Sequence, residues 1–163
     1  MKLLLAYDSL SGNTREVAHQ IKTEAEHFGH IITEIYVTIE SLGDVVPLPF
    51  TEDTFDLYVL GSWSSNSGRT PPEMKEFIAE LYDQVGKPQH VAVFGTGETQ
   101  WGEEFYCGAA KRMAAFFASR YPRLEIEQMP HGERDHVAIT EWTRQVLSSR
   151  SKQLNEHAQH YLA

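Results

Sequence analysis

Three uninterrupted apolar runs, "LLLAY" at 3–7, "DLYVLG" at 56–61 and "VAVFG" at 91–95, constrain this chain more than any other feature. A strand wetted on one face alternates apolar and polar residues, so a strand with no polar face must be covered on both sides. That is the condition of an interior strand in a parallel sheet. Strands are expected at 2–7, 31–39, 55–61, 90–95 and 124–129. The runs "IITEIYVTI" and "LEIEQM" alternate more and suit the two edges.

Helical stretches fill the intervals. Residues 14–28 place Val17, Ala18, Ile21, Ala25 and Phe28 on one stripe, with Gly29 as a C-cap. Pro71 and Pro72 open a second helix, in which Met74, Phe77, Ile78, Leu81 and Tyr82 recur at i, i+3, i+4 spacing until Gly86 and Pro88. A third is expected over 103–121, with Met113, Phe116 and Phe117 on its apolar side, and a fourth from near Val137 onward. Strands alternating with helices imply right-handed crossovers, hence an α/β, doubly wound, five-stranded parallel sheet. The irregular crossover is 40–54, where Pro47 and Pro49 leave room for a turn or two of helix.

A chain of 163 residues fits one domain, here 1–149, with 150–163 as a C-terminal helical extension that has little to bury. Lys and Arg total 14 against 23 Asp and Glu, so nucleic acid and anionic membranes are repelled and partners with basic faces are favoured. No long apolar stretch reads as a membrane span, and residues 1–6 are too short for a secretory apolar core. The single cysteine, Cys107, excludes an internal disulfide and suits the cytoplasm.

In open α/β sheets, ligands sit beyond the carboxyl ends of the strands. After strand 1 comes "DSLSGNT": Ser9, Ser11, Asn13 and Thr14 offer donors, Gly12 permits a tight turn, and the next helix begins with free N–H groups. Such a loop holds a phosphate dianion, or it is simply a polar N-cap. It has neither a Walker lysine nor a GxGxxG, which points to the terminal phosphate of a mononucleotide. After strands 3 and 4 come "GSWSSNSGRTPP" and "GTGETQWGEEFYC", each with a tryptophan among small polar residues. Trp63 and Trp101 either fold back on the sheet or cover a flat aromatic ligand; two of them beside a phosphate loop favour the ligand.

Together the three loops resemble the flavodoxin family. "SLSGNT" is similar to its [ST]-x-[ST]-G-x-T phosphate loop, "GETQWGEEFYC" to its G-D-x-x-Y-x-x-F-C loop, and "GSWSSNSG" stands in the place of its first isoalloxazine loop. The resemblance covers most of 1–149. It implies the sheet order 2-1-3-4-5, an uninterrupted fifth strand as in the short-chain branch, and noncovalent FMN. Ser9, Leu10, Ser11, Gly12, Asn13 and Thr14 would hold the phosphate. Ser62, Trp63, Ser64, Ser65, Asn66 and Gly68 would line one side of the flavin, and Thr96, Gly97, Glu98, Trp101, Gly102 and Phe105 the other. It also implies a cytoplasmic, monomeric electron-transfer protein rather than an enzyme, passing one electron at low potential between flavin semiquinone and hydroquinone. Its partners would be a flavodoxin or ferredoxin reductase and an acceptor enzyme with a basic docking face.

Two departures matter. Arg69 stands where the family commonly has acidic residues, and the Trp-Gly-acid-x-Phe order of 101–105 is similar to the flavodoxin-like activators of manganese ribonucleotide reductases. That activator, or an FMN-dependent NAD(P)H reductase, is the alternative reading. A phosphorelay receiver is excluded because Asp8 stands without a second aspartate at the strand ends and no lysine follows strand 5. No acid or cysteine stands at metal-ligand spacing from His131, His136, His157 or His160, so these read as solvent-facing. Asp44, Glu52, Asp53 and Asp56 read as a solvated face or a docking patch.

Overall fold

In a computed structural model, which describes residues 1–127 and 132–163, residues 3–8 of the first strand β1 (Lys2–Asp8) are all buried. Its side chains divide between two layers: Leu3, Leu5 and Tyr7 enter one core, Leu4 and Ala6 the other. The strands β3 (Leu57–Trp63) and β4 (Val91–Gly97) divide in the same way, as their lack of a polar face requires. Strands β2 (Ile31–Tyr36) and β5 (Leu124–Glu127) lie at the edges, giving five parallel strands in the order β2-β1-β3-β4-β5. The expected sheet, edges included, is the observed one.

Helices α1 (Asn13–His27) and α5 (Gly132–Leu162) cover one face. Their stripes, Val17, Ala18, Ile21 and Ala25 on α1 with Ile139, Trp142, Val146 and Leu147 on α5, pack on the layer of Leu3, Leu5 and Phe94. The other face carries α2 (Leu42–Val45), α3 (Pro72–Val85) and α4 (Gly108–Phe116). Met74, Phe77 and Leu81 of α3 are almost fully buried there, each contributing about 1.5–3 kcal/mol of apolar burial. No described helix is long and apolar enough to cross a membrane.

Three boundaries differ from the pattern in the sequence. Strand β2 ends at Tyr36 because the amides of Ile39 and Glu40 turn back to the Tyr36 carbonyl at 3.0 and 2.9 Å. The third helix occupies only 108–116 of the expected 103–121. Cys107 sits in the left-handed region (φ 48°) at its start, and Ala118 (φ 50°) ends it with the Ser119 amide on the Ala114 carbonyl at 2.9 Å. The last helix begins at Gly132, five residues before Val137, and runs unbroken through 150–162. The expected end of strand 5 at Met129, together with Pro130 and His131, lies outside the described residues.

Candidate functional site

The loop after β1 is folded by its own first residue. Ser9, 1% exposed, turns its hydroxyl inward, where Oγ accepts the amides of Gly12 and Arg15 at 3.2 Å each. Gly12 then turns at φ 95°, a left-handed conformation in which a larger residue would be strained, and α1 starts at the next position. This leaves the amides of Leu10, Ser11, Asn13 and Thr14 with no acceptor among the described residues. They lie at the positive end of the α1 dipole, an arrangement suited to an anion. Ser11 Oγ accepts from Asn13 Nδ2 at 3.0 Å on the exposed side, whereas Thr14 is buried with its Oγ1 2.8 Å from Thr96 Oγ1. Ser9 and Thr14 therefore shape the loop from beneath, while Ser11 is exposed and Asn13 half-buried.

Beside it a cavity of about 530 Å³ opens between the loops after β3 and β4, lined by Leu10, Trp63, Ser64, Ser65, Asn66, Ser67, Gly68, Gly97, Glu98, Trp101 and Phe105. That volume falls within the range for small-molecule and cofactor sites. Its walls are set by two segments in near contact. A Cβ on Gly108 would come within 2.3 Å of the Gly68 carbonyl oxygen, so the start of α4 and the loop after β3 approach as only glycines allow. Ser64 Oγ accepts the Ala109 amide at 3.1 Å, and Arg112 Nε donates to the Gly68 carbonyl at 3.3 Å. Ser64 thus satisfies an otherwise orphaned amide at the start of α4, a long-range version of helix capping.

Trp101 is 68% exposed on the outer wall, its Nε1 donating to Glu98 Oε2 at 2.6 Å, and Gln100 donates to the same oxygen. Trp63, at the end of β3, is half-buried. Of the remaining flavin-loop residues, Ser62 is fully buried with its hydroxyl on the Trp63 carbonyl at 2.8 Å. Thr96 is buried against Thr14, and Gly102 turns the chain outside the cavity wall at φ 99°. Ser67, left-handed at φ 59°, lines the cavity and had no individual signal in the sequence. The wall carries the Glu98 carboxylate, while the exposed Arg69 follows the lining Gly68 directly along the chain.

The family model described as Flavodoxin matches residues 5–136. The chain belongs to the flavodoxin family. A probable flavodoxin 2 of Bacillus subtilis (strain 168) is 27% identical over 143 residues, covering 85% of this chain and 89% of that protein. Among solved structures, a short-chain flavodoxin associated with a non-canonical PDU bacterial microcompartment superposes with a TM-score of 0.76 at 17% identity, over 92% of this chain and 99% of that one. A Fusobacterium nucleatum flavodoxin mutant bound to flavin mononucleotide gives a TM-score of 0.70 at 11% identity, over 91% and 96%. At such identities the two structures speak to the flavodoxin fold alone.

Most of the other candidate residues of this chain have structural partners. Cys107 is fully buried, and burial pushes its thiol up to about 12, which removes it from thiolate chemistry. Asp44 closes a capping box with Ser41, Asp56 accepts the Lys2 amide at 2.7 Å, and Glu52 accepts that of Gln89. His136 pairs with Gln20, and His157 and His160 lie against Tyr161. No group of three or more potential metal ligands occurs among the described residues.

Proposed function

We propose that this flavodoxin binds FMN, its phosphate on the loop 9–14 and its ring in the cavity between Trp63 and Trp101, and works as a low-potential one-electron carrier. The observation that carries the reading is the pairing, at one sheet edge, of acceptor-free amides at the start of α1 with an aromatic-walled cavity of about 530 Å³. An anion and a flat apolar ring are the two ends of a single mononucleotide.

When bound, FMN supplies the redox chemistry, passing one electron at a time between its two more reduced forms. The chain's own residues bind and orient. Leu10, Ser11, Asn13 and Thr14 amides hold the dianion, Gly68 and Gly108 fix the width of the slot, and Glu98 holds the Trp101 indole across its mouth. The Glu98 carboxylate disfavours added negative charge on a ring in this slot, so the last electron leaves at low potential. No side chain acts as nucleophile or general acid. The chain's net charge of −9 suits a reductase and an acceptor enzyme with basic faces, met by a cytoplasmic monomer.

The test is an anaerobic reductive titration of the protein reconstituted with FMN, followed by visible absorption. Stoichiometric binding and a half-reduced flavin band at mid-titration are expected. A colourless protein that binds no FMN overturns the proposal, and bleaching by reduced nicotinamide alone would make the chain a reductase instead of a carrier.

A further inference from the structure

Asp8 is the last residue of β1, immediately before the loop, and its side chain is 1% exposed. Oδ1 accepts the Thr38 hydroxyl at 2.8 Å, and that same hydroxyl oxygen accepts the Ser9 amide at 3.0 Å, so the carboxyl is wired to the residue that folds the loop. Oδ2 is buried with no hydrogen-bond partner among the described residues. The groups facing it are Thr38 after β2, Trp63 at the end of β3, the Ser9 backbone, and Glu73 in the first turn of α3; no cation is among them. Burial raises its proton affinity, and Glu73 adds to this, while hydrogen bonding from Thr38, Trp63 and the Ser9 amide opposes it. An ionised Oδ2 has no geometric partner, and the Trp63 indole and the Ser9 amide compensate the carboxylate only in part; protonation would place the proton on that oxygen.

Resting on the FMN reading above, we infer that a phosphate dianion on the loop and an ionised Asp8 exclude one another, so that wherever Asp8 is ionised in the free protein FMN binds with uptake of a proton from solvent onto Asp8 Oδ2. An ionised Asp8 thereby lowers the preference for FMN over riboflavin, which its protonation restores. The sign follows from the charges: the bound dianion raises the carboxyl's proton affinity further, so FMN affinity falls as pH rises past the point where Asp8 ionises in the free protein. Charges of −1 and −2 within roughly 10 Å in partly buried surroundings oppose each other by about tenfold in affinity or more.

Fluorescence titration and calorimetry separate the outcomes. D8N keeps the shape and an acceptor for Thr38 but carries no charge; at the highest pH at which the wild type stays folded it is expected to bind FMN at least about tenfold more tightly than wild type, with riboflavin affinity changed less than about twofold. Calorimetry of the wild type in buffers of different ionisation enthalpy, scanned up to the highest pH at which the protein stays folded, is expected to show proton uptake with FMN and none with riboflavin above the pH at which Asp8 ionises in the free protein. Equal FMN affinity in D8N and wild type, weaker FMN binding in D8N, or no uptake by the wild type each overturns the inference. The wild-type measurement stands even if D8N does not fold. FMN binding without any of these effects leaves the proposed function intact and refutes only the role of Asp8; no FMN binding at all refutes the function itself.

Discussion

Replacing Gly108 by alanine tests the construction of the slot directly. The added Cβ would lie 2.3 Å from the Gly68 carbonyl oxygen and 2.7 Å from its Cα, both backbone atoms that cannot swing aside. Restoring an ordinary contact near 3.4 Å requires the start of α4 and the loop after β3 to separate by roughly 1 Å. Overpacking of that kind costs about 1–3 kcal/mol, which for a domain of this size is a drop in Tm of about 2–12 °C in thermal unfolding followed by circular dichroism. The same movement widens the cavity, because Gly68 lines it and the segment before Gly108 carries Phe105 on the facing wall. A gap of 0.5–1 Å forfeits about a quarter to a half of the dispersion attraction across it. FMN affinity, measured by recovery of flavin fluorescence, is therefore expected to fall by roughly tenfold, with riboflavin affected in equal measure since the phosphate loop is untouched. An unchanged Tm together with unchanged flavin affinity would refute the claim that this glycine pair sets the slot width.

Trp101→Ala removes the outer wall, and the loss of stacking area is expected to weaken FMN by about 1–3 kcal/mol without lowering Tm, because the ring is 68% exposed in the free protein; a large Tm loss would place the ring in the fold instead. Cys107, buried and with its thiol pushed up to about 12, should resist iodoacetamide at pH 8 in the native protein and react fully in guanidinium, as mass spectrometry would read. Tyr7→Phe deletes the 2.7 Å bond from the phenol to Glu34 Oε1. Burial opposes ionisation of Glu34, but the Tyr7 and Lys22 hydrogen bonds outweigh it and hold its pKa below the ordinary value, so this stabilisation is present above the usual carboxylate range and vanishes as pH falls through the lowered pKa. The variant should therefore lose about 1–3 kcal/mol at pH 7 in urea unfolding and much less at pH 2; an equal loss at both would assign the effect to packing.

The sheet could be read from the chain because burial on both faces is written locally, in runs such as "VAVFG", and needs no knowledge of what does the covering. The loop at 9–14 was legible for a similar reason: its polar residues, its left-handed Gly12 and the start of α1 are contiguous. The inward turn of Ser9, the tie between Thr14 and Thr96, and the use of Ser64 to cap α4 were not legible, since each joins a loop residue to a partner that the fold alone brings near. Nor was the shortening of the third helix. Cys107 and Ala118 are not residues that favour a left-handed backbone, and they adopt it where neighbouring segments leave no other path.

Sequence by itself determined the alternation of strands and helices, the identity of the edge strands and the three loops at the carboxyl edge, because periodicity and turn chemistry act over a few neighbouring residues. Only the tertiary structure decided which loop side chains are buried, how wide the slot is and that Asp8 is sealed beneath the loop after β1. Those properties arise from backbone contacts and desolvation between residues such as Gly68 and Gly108, or Asp8 and Thr38, that are adjacent in space and distant along the chain.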